Sequence, residues 1–197
     1  MLYLTVIIAA NVLIVLFNVV FSLPVTIGDA LMIALSSVIG TVSVIAVDGI
    51  TALFIRRALP EKLFCVKENT FNVGKKERGF YRKIKVNSWK DKVPELGGFT
   101  GFHKNKIKSP NDPEYLARFV LEANYGSVIH LANALCGWLI AFIPLCNSFS
   151  IWFPIFVVNF VLSLMPVAVL RNNTPSLKYL YFKAKKAESA DQGAKSE

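Results

Sequence analysis

Three features of the chain predict an all-α integral membrane protein, with four transmembrane helices arranged as two hairpins and a basic, aromatic-rich cytoplasmic interfacial segment between them. Four apolar stretches have the length of a bilayer crossing, the basic residues are segregated away from them, and the turn inside each pair of stretches carries no basic residue. A hydrocarbon core of about 30 Å takes about 20 residues of helix to cross. Residues 2–23, 30–55, 127–146 and 149–170 each supply that length. The 197-residue chain is 54% apolar yet carries a formal charge of +9. These figures belong to different stretches, because no Lys or Arg occurs in residues 1–55 or 119–170, whereas 16 of the 22 basic residues fall in 56–118 and 6 in 171–197. A soluble nucleic-acid binder, a secreted disulfide scaffold and a disordered chain would each mix or lack such blocks, and all three are excluded. The three cysteines, Cys65, Cys136 and Cys146, form no framework.

The first stretch lacks a basic leading region and is too long for a signal peptide, so it reads as an uncleaved anchor. With the second stretch it forms the hairpin of residues 1–55, closed by a turn at 24–29. Arg56 and Arg57 stop the second helix at the headgroups. The excess of Lys and Arg in the central segment places it on the cytoplasmic side by the positive-inside rule. The tail follows it there, giving a multi-pass protein of the cell membrane with both termini cytoplasmic.

The central segment, 56–126, interleaves Phe64, Phe71, Phe80, Tyr81, Ile84, Trp89, Phe99 and Phe102 with cations. Such a chain lies on an anionic lipid surface with its aromatics down, and membrane lipids are its first expected partners. Its Gly and Pro residues predict short helices and turns. Phe80–Trp89 reads equally as one surface helix or one strand. Asp112-Pro113 supplies an N-cap and a proline at N1, so a helix begins there and leads toward the third span. The second hairpin, 127–170, is followed by a basic tail, 171–197, whose end from Ala184 reads as disordered.

Polar groups in or beside a span are costly and mark candidate sites. Asp48 lies about two turns before the end of the second span. It is open to two readings, a helix-packing partner of Arg56, Arg57 or Arg171, or a functional group. His130 lies about one turn inside the third span, with Ser127 on the same face and Asn124 beyond it. Glu122 stands about 12 Å along the axis from His130 if the helix is continuous. Arg171-Asn172-Asn173-Thr174-Pro175 gathers donors after the fourth span, and Trp89-Lys90-Asp91 followed by Pro94-Glu95 is either an interfacial anchor or part of a site. Asp91, Glu95, Glu122, His130, Arg171 and Asn173 thus converge on the cytoplasmic interface. No Walker loop, dinucleotide fingerprint, zincin motif or nucleophile elbow is present, and the His and carboxylates lack metal-ligand spacing.

The order of these pieces resembles the glycosyl-4,4'-diaponeurosporenoate acyltransferases, small integral-membrane enzymes of staphyloxanthin-type carotenoid synthesis. The resemblance runs over about residues 64–180. It rests on Phe71-Asn72, Phe80-Tyr81-Arg82-Lys83, Trp89-Lys90-Asp91-Lys92 with Pro94-Glu95, Glu122 eight residues before His130, and Arg171-x-Asn173-x-Pro175-x-Leu177. This chain reads as a divergent member, since Ser127 stands where the family has a second acid, and Thr174 and Ser176 where it has arginines. The resemblance implies an O-acyltransferase that moves a fatty acyl group from acyl-CoA or another activated donor to a hydroxyl of a lipid or glycolipid acceptor, without a resident cofactor or metal. His130, Glu122 and Asp91 are then the candidate catalytic groups, and Trp89, Lys90, Glu95, Arg171, Asn173 and Ser127 the candidate substrate-binding groups. The alternative is a non-enzymatic lipid-binding or scaffold protein; a small transporter built around Asp48 is disfavoured by the lack of repeats or a broken helix. Neither reading assigns a nucleic-acid partner or an oligomeric state.

Overall fold

The computed structural model describes residues 2–22, 24–67, 71–93 and 107–194. Among them there is no strand. The helices are α1 (Leu2–Phe21), α2 (Ile27–Ala58), α3 (Lys75–Lys83), α4 (Val86–Trp89), α5 (Pro113–Cys136) and α6 (Phe149–Ala194), with 3₁₀ turns at Glu61–Phe64, Lys90–Lys92, Gly137–Phe142 and Pro144–Cys146. Tyr3–Phe21, Ile27–Ala58, Pro113–Phe142 and Phe149–Ala190 are long and apolar enough to cross a membrane. The all-α, four-span expectation therefore holds. The chain divides into two compact units, one of Met1–Ile55 with Ile129–Met165 and one of Arg56–Val128 with Pro166–Glu197.

The first unit is apolar outside as well as inside. Leu13, Leu16, Phe17, Ile45, Leu53 and Phe54 are exposed, while Ile14, Val44, Ile140, Ile151 and Ile155 form its core. Such a surface suits hydrocarbon, where the polar backbone is satisfied within the helices and apolar side chains face lipid. Helix packing then depends on close approach. α2 buries Ser36, Ser37, Gly40 and Val44, and a Cβ on Gly40 would lie 2.8 Å from Ile155 Cδ1. Small residues at this spacing let backbones meet.

Proline explains how α1 docks on α6. Pro154 and Pro166 lack the N–H groups that would bond the carbonyls of Ser150 and Leu162, four residues earlier. Asn18 Nδ2 donates to the Ser150 carbonyl at 3.1 Å, and the Tyr3 hydroxyl donates to the Leu162 carbonyl at 3.3 Å. Both carbonyls freed by proline thus receive a donor from the first helix.

The third span departs from the single helix expected over 127–146. α5 ends at Cys136 and continues as 3₁₀ turns over Gly137–Phe142 and Pro144–Cys146. Gly137 admits Asn159, whose Nδ2 would lie 2.8 Å from a Cβ there. Pro144 holds Ile143 extended, at φ −81° and ψ 120°, which interrupts the helix.

The second unit is built on the period of two helices. Leu116, Phe119, Val120 and Ala123 of α5 and Leu177, Tyr181 and Ala184 of α6 form a core with Val66, a spacing that puts each set on one helix face. Phe64, 1% exposed, stacks on Phe71 and on Tyr125 with centroids 5.0 and 3.9 Å apart. The expected start of α5 is met: Asp112 Oδ1 accepts from the N–H groups of Glu114 and Tyr115 at 2.9 and 3.1 Å. Two expectations fail. Phe80–Trp89 is neither one helix nor one strand, because Lys85 takes a left-handed φ of 51° between α3 and α4. The stretch from Ala184 is helical as far as Ala194; it holds four Ala and two Lys, good helix formers, and extending an existing helix needs no new nucleation.

Candidate functional site

In the second unit two of the candidate charged groups, Arg171 and Glu122, are drawn into ion pairs. Arg171 grips Glu77 of α3 with two donors, Nε to Oε1 and Nη2 to Oε2, the latter at 2.8 Å. Tyr81, one turn along α3, donates its hydroxyl to Glu77 Oε1 at 2.6 Å. The hydrogen bonds from Arg171 foremost, with help from Tyr81, hold the Glu77 carboxyl below its ordinary range against the opposing effect of burial. Burial first, and the bond to Glu77 second, push the Tyr81 hydroxyl up to about 12. On the same helix as Arg171, Asn172 Nδ2 donates to Asn87 Oδ1 at 3.0 Å and Lys178 Nζ to Asn72 Oδ1 at 2.8 Å. Arg171, which reads as substrate-binding in the sequence, thus joins Asn172 and Lys178 in latching the segment around α3 and α4 onto α6.

Glu122 is held in the same way. Its side chain is only 10% exposed and receives Arg56 at 2.7 Å and Arg118 at 3.2 Å. Arg56 also lies over the Tyr125 ring, 5.3 Å from its centroid. Asn124 Nδ2 donates to the Phe64 carbonyl and the Tyr125 hydroxyl to the Leu59 carbonyl, each at 2.9 Å. Together these bonds strap the stretch after α2 onto α5. Two arginines on one carboxylate leave a positive cluster, and each Glu122 oxygen has a cation partner.

The remaining candidates of this unit are placed as follows. Trp89 is half-buried and its indole N–H donates to the Ile84 carbonyl at 2.9 Å. Lys90 beside it is half-buried, and Asp91 is exposed. Asn173 is half-buried, while Ser127 is buried and donates its hydroxyl to the Ala123 carbonyl at 2.8 Å. Glu95 lies outside the described residues.

His130 belongs to the first unit, half-buried on α5. Three residues on, Asn133 presents its own backbone carbonyl to Asn159 Nδ2 at 3.2 Å. The same Nδ2 reaches Asp48 Oδ1 at 3.4 Å. Within the first unit the neighbour of Asp48 is an amide, while Arg56 and Arg171 are paired with glutamates within the second. Asn133 and Asn159 belong to this polar cluster and went unmarked in the sequence reading, although an amide inside an apolar run is a signal in its own right. Glu77 had a signal too, as the one acid in residues 69–90.

These features define a polytopic helical membrane protein with a strongly basic unit locked by internal ion pairs and a polar cluster of Asp48, Asn133 and Asn159 inside its apolar unit. The chain belongs to the glycosyl-4,4'-diaponeurosporenoate acyltransferase family, which it matches over residues 60–183. The resemblance carried by the sequence motifs is confirmed at the level of family, and with it the acyltransferase class. The matched range takes in Glu77, Glu122, His130, Asn133, Asn159 and Arg171 and leaves out α1 and Asp48. Comparison with curated proteins and with solved structures gives no match.

Proposed function

We propose that this protein moves a fatty acyl group from an activated donor such as acyl-CoA to a hydroxyl of a lipid or glycolipid acceptor at the cytoplasmic face of the cell membrane. The acyltransferase family match over residues 60–183 carries the reading. His130 is the proton acceptor. Its imidazole takes the hydroxyl proton as the oxygen attacks the acyl carbonyl, and returns it to the leaving thiolate when the tetrahedral intermediate collapses, so the transfer is balanced without a cofactor. A neutral imidazole suits this task near pH 7. Exposed cations of the 75–92 stretch attract the anionic part of the donor. Arg171 acts through its grip on Glu77, positioning the segment that carries Trp89, Lys90 and Asp91, and Asn173 beside it offers an amide to the donor. Glu122 holds its stretch of α5 to Arg56 within the second unit.

The test is transfer by purified protein in nanodiscs supplied with acyl-CoA and a glycolipid acceptor. His130→Ala is expected to lower turnover by about 10²–10⁴-fold with membrane insertion unchanged; near-wild-type turnover removes the histidine from the reaction. The ion pairing of Glu77, Glu122 and Arg171 also fits a non-enzymatic lipid-binding scaffold. That scaffold would accept His130→Asn without loss, which the enzyme would not.

A further inference from the structure

The polar cluster of the first unit has more hydrogen-bond acceptors than the fold fills. Asn133 is 6% exposed, and among the described residues its Oδ1 meets no donor. Asp48 receives one long contact, 3.4 Å from Asn159 Nδ2. That nitrogen also serves the Asn133 carbonyl at 3.2 Å, so a single amide group is divided between α2 and α5. A carboxylate has about four acceptor sites and an amide oxygen two, which leaves most of the capacity of Asp48 and Asn133 unfilled. Space has been kept beside Asn159 as well. Gly137, one turn beyond Asn133, lacks the Cβ that would crowd Asn159 Nδ2 at 2.8 Å. A cavity of about 40 Å³ borders Asn159, with Asn11, Thr41 and Val44 in its wall. That exceeds the roughly 10–15 Å³ that a water-sized group needs.

A device for helix packing alone would match donors to acceptors. Here the acceptors of Asp48 and Asn133 outnumber the donors aimed at them, in a unit whose surface and core are apolar, so the complement includes a hydrogen-bond donor. A neutral hydroxyl brings one at less desolvation cost than a cation. His130, three residues before Asn133, lies on the same face of α5.

We infer that Asp48, Asn133 and Asn159 form an intramembrane binding site for the hydroxyl of an alcohol-bearing lipid. Its identification with the acceptor of the transfer proposed above rests on that reading; the binding site itself does not.

The test uses the full chain in nanodiscs and three probes that share a long alkyl chain with a diazirine near its end: a primary alcohol, its methyl ether and the corresponding amine. After irradiation, the alcohol is expected to label peptides containing Asp48, Asn133 or Asn159, and excess 1-hexadecanol is expected to compete. Labelling is expected to fall about tenfold with the ether, which cannot donate, and by a similar factor in Asn133→Leu. Equal labelling by alcohol and ether, stronger labelling by the amine, or label confined to other peptides overturns the site. Unchanged labelling in Asn133→Leu does so too; if that variant fails to insert, the alcohol-to-ether comparison on the unaltered protein decides. Acyl transfer is assayed in parallel. Label at these residues without transfer overturns the acyltransferase reading and supports the site, whereas transfer with label elsewhere overturns the site alone.

Discussion

Arg171 and Glu77 lie 94 residues apart in the chain and meet in a bidentate pair that Tyr81 completes. The pair has a definite pH behaviour. Because the folded Glu77 carboxyl is held below its ordinary value of 4.5, its contribution to stability is full above that pH and is lost as pH falls through the depressed folded value. The Tyr81 hydroxyl is raised from 10.0 to about 12, so its contribution is full below 10 and is lost as pH rises through 12. Hydrogen-exchange protection of residues 75–83 should therefore be flat across neutral pH, falling only in strong acid and strong alkali. Glu77→Gln should remove the acid limb and lower stability by about 1–3 kcal/mol, leaving Arg171 half-paired; an unchanged acid limb would assign it to another carboxylate. At this scale the sequence was only partly legible. Arg171 stood out as a cation at the end of a span, but its partner was one acid in a basic run. Asn124, noted only as lying beyond Ser127, is a strap that holds the Phe64 carbonyl.

Among the elements, the prolines of α6 make a prediction of their own. Asn18 serves the Ser150 carbonyl that Pro154 leaves without an intrahelical donor. Asn18→Leu should destabilise the first unit by about 1–2 kcal/mol in thermal unfolding. In a Pro154→Ala background, which restores the backbone N–H, the same substitution should cost measurably less; strict additivity would show that the two are uncoupled. Caps and lengths were the legible part of the elements. Asp112-Pro113 starts α5 where local chemistry says it must, because a cap depends on neighbouring residues alone. The interruption at Gly137 and the run of α6 to Ala194 were not legible. The first depends on what packs against the glycine, and the second on a helix already nucleated within the span.

For the molecule as a whole, charge segregation leads to a topology that can be checked. Reporter fusions at either terminus, and a single cysteine introduced into residues 75–83, should all respond from the cytoplasmic side; labelling of that cysteine from outside would reverse the proposed orientation. The sequence by itself determined the all-α class, the four span-length stretches and the family. Length, hydropathy and motif order are properties of the chain read along one dimension, and a bilayer responds to the first two almost directly. Only the tertiary structure decided which polar groups are partners. It paired Glu122 with Arg56 and Arg118, drew Arg171 to Glu77, and put Asp48 beside Asn159. Hydrogen bonds act over about 3 Å, and residues far apart in sequence come within that range only when the helices have packed.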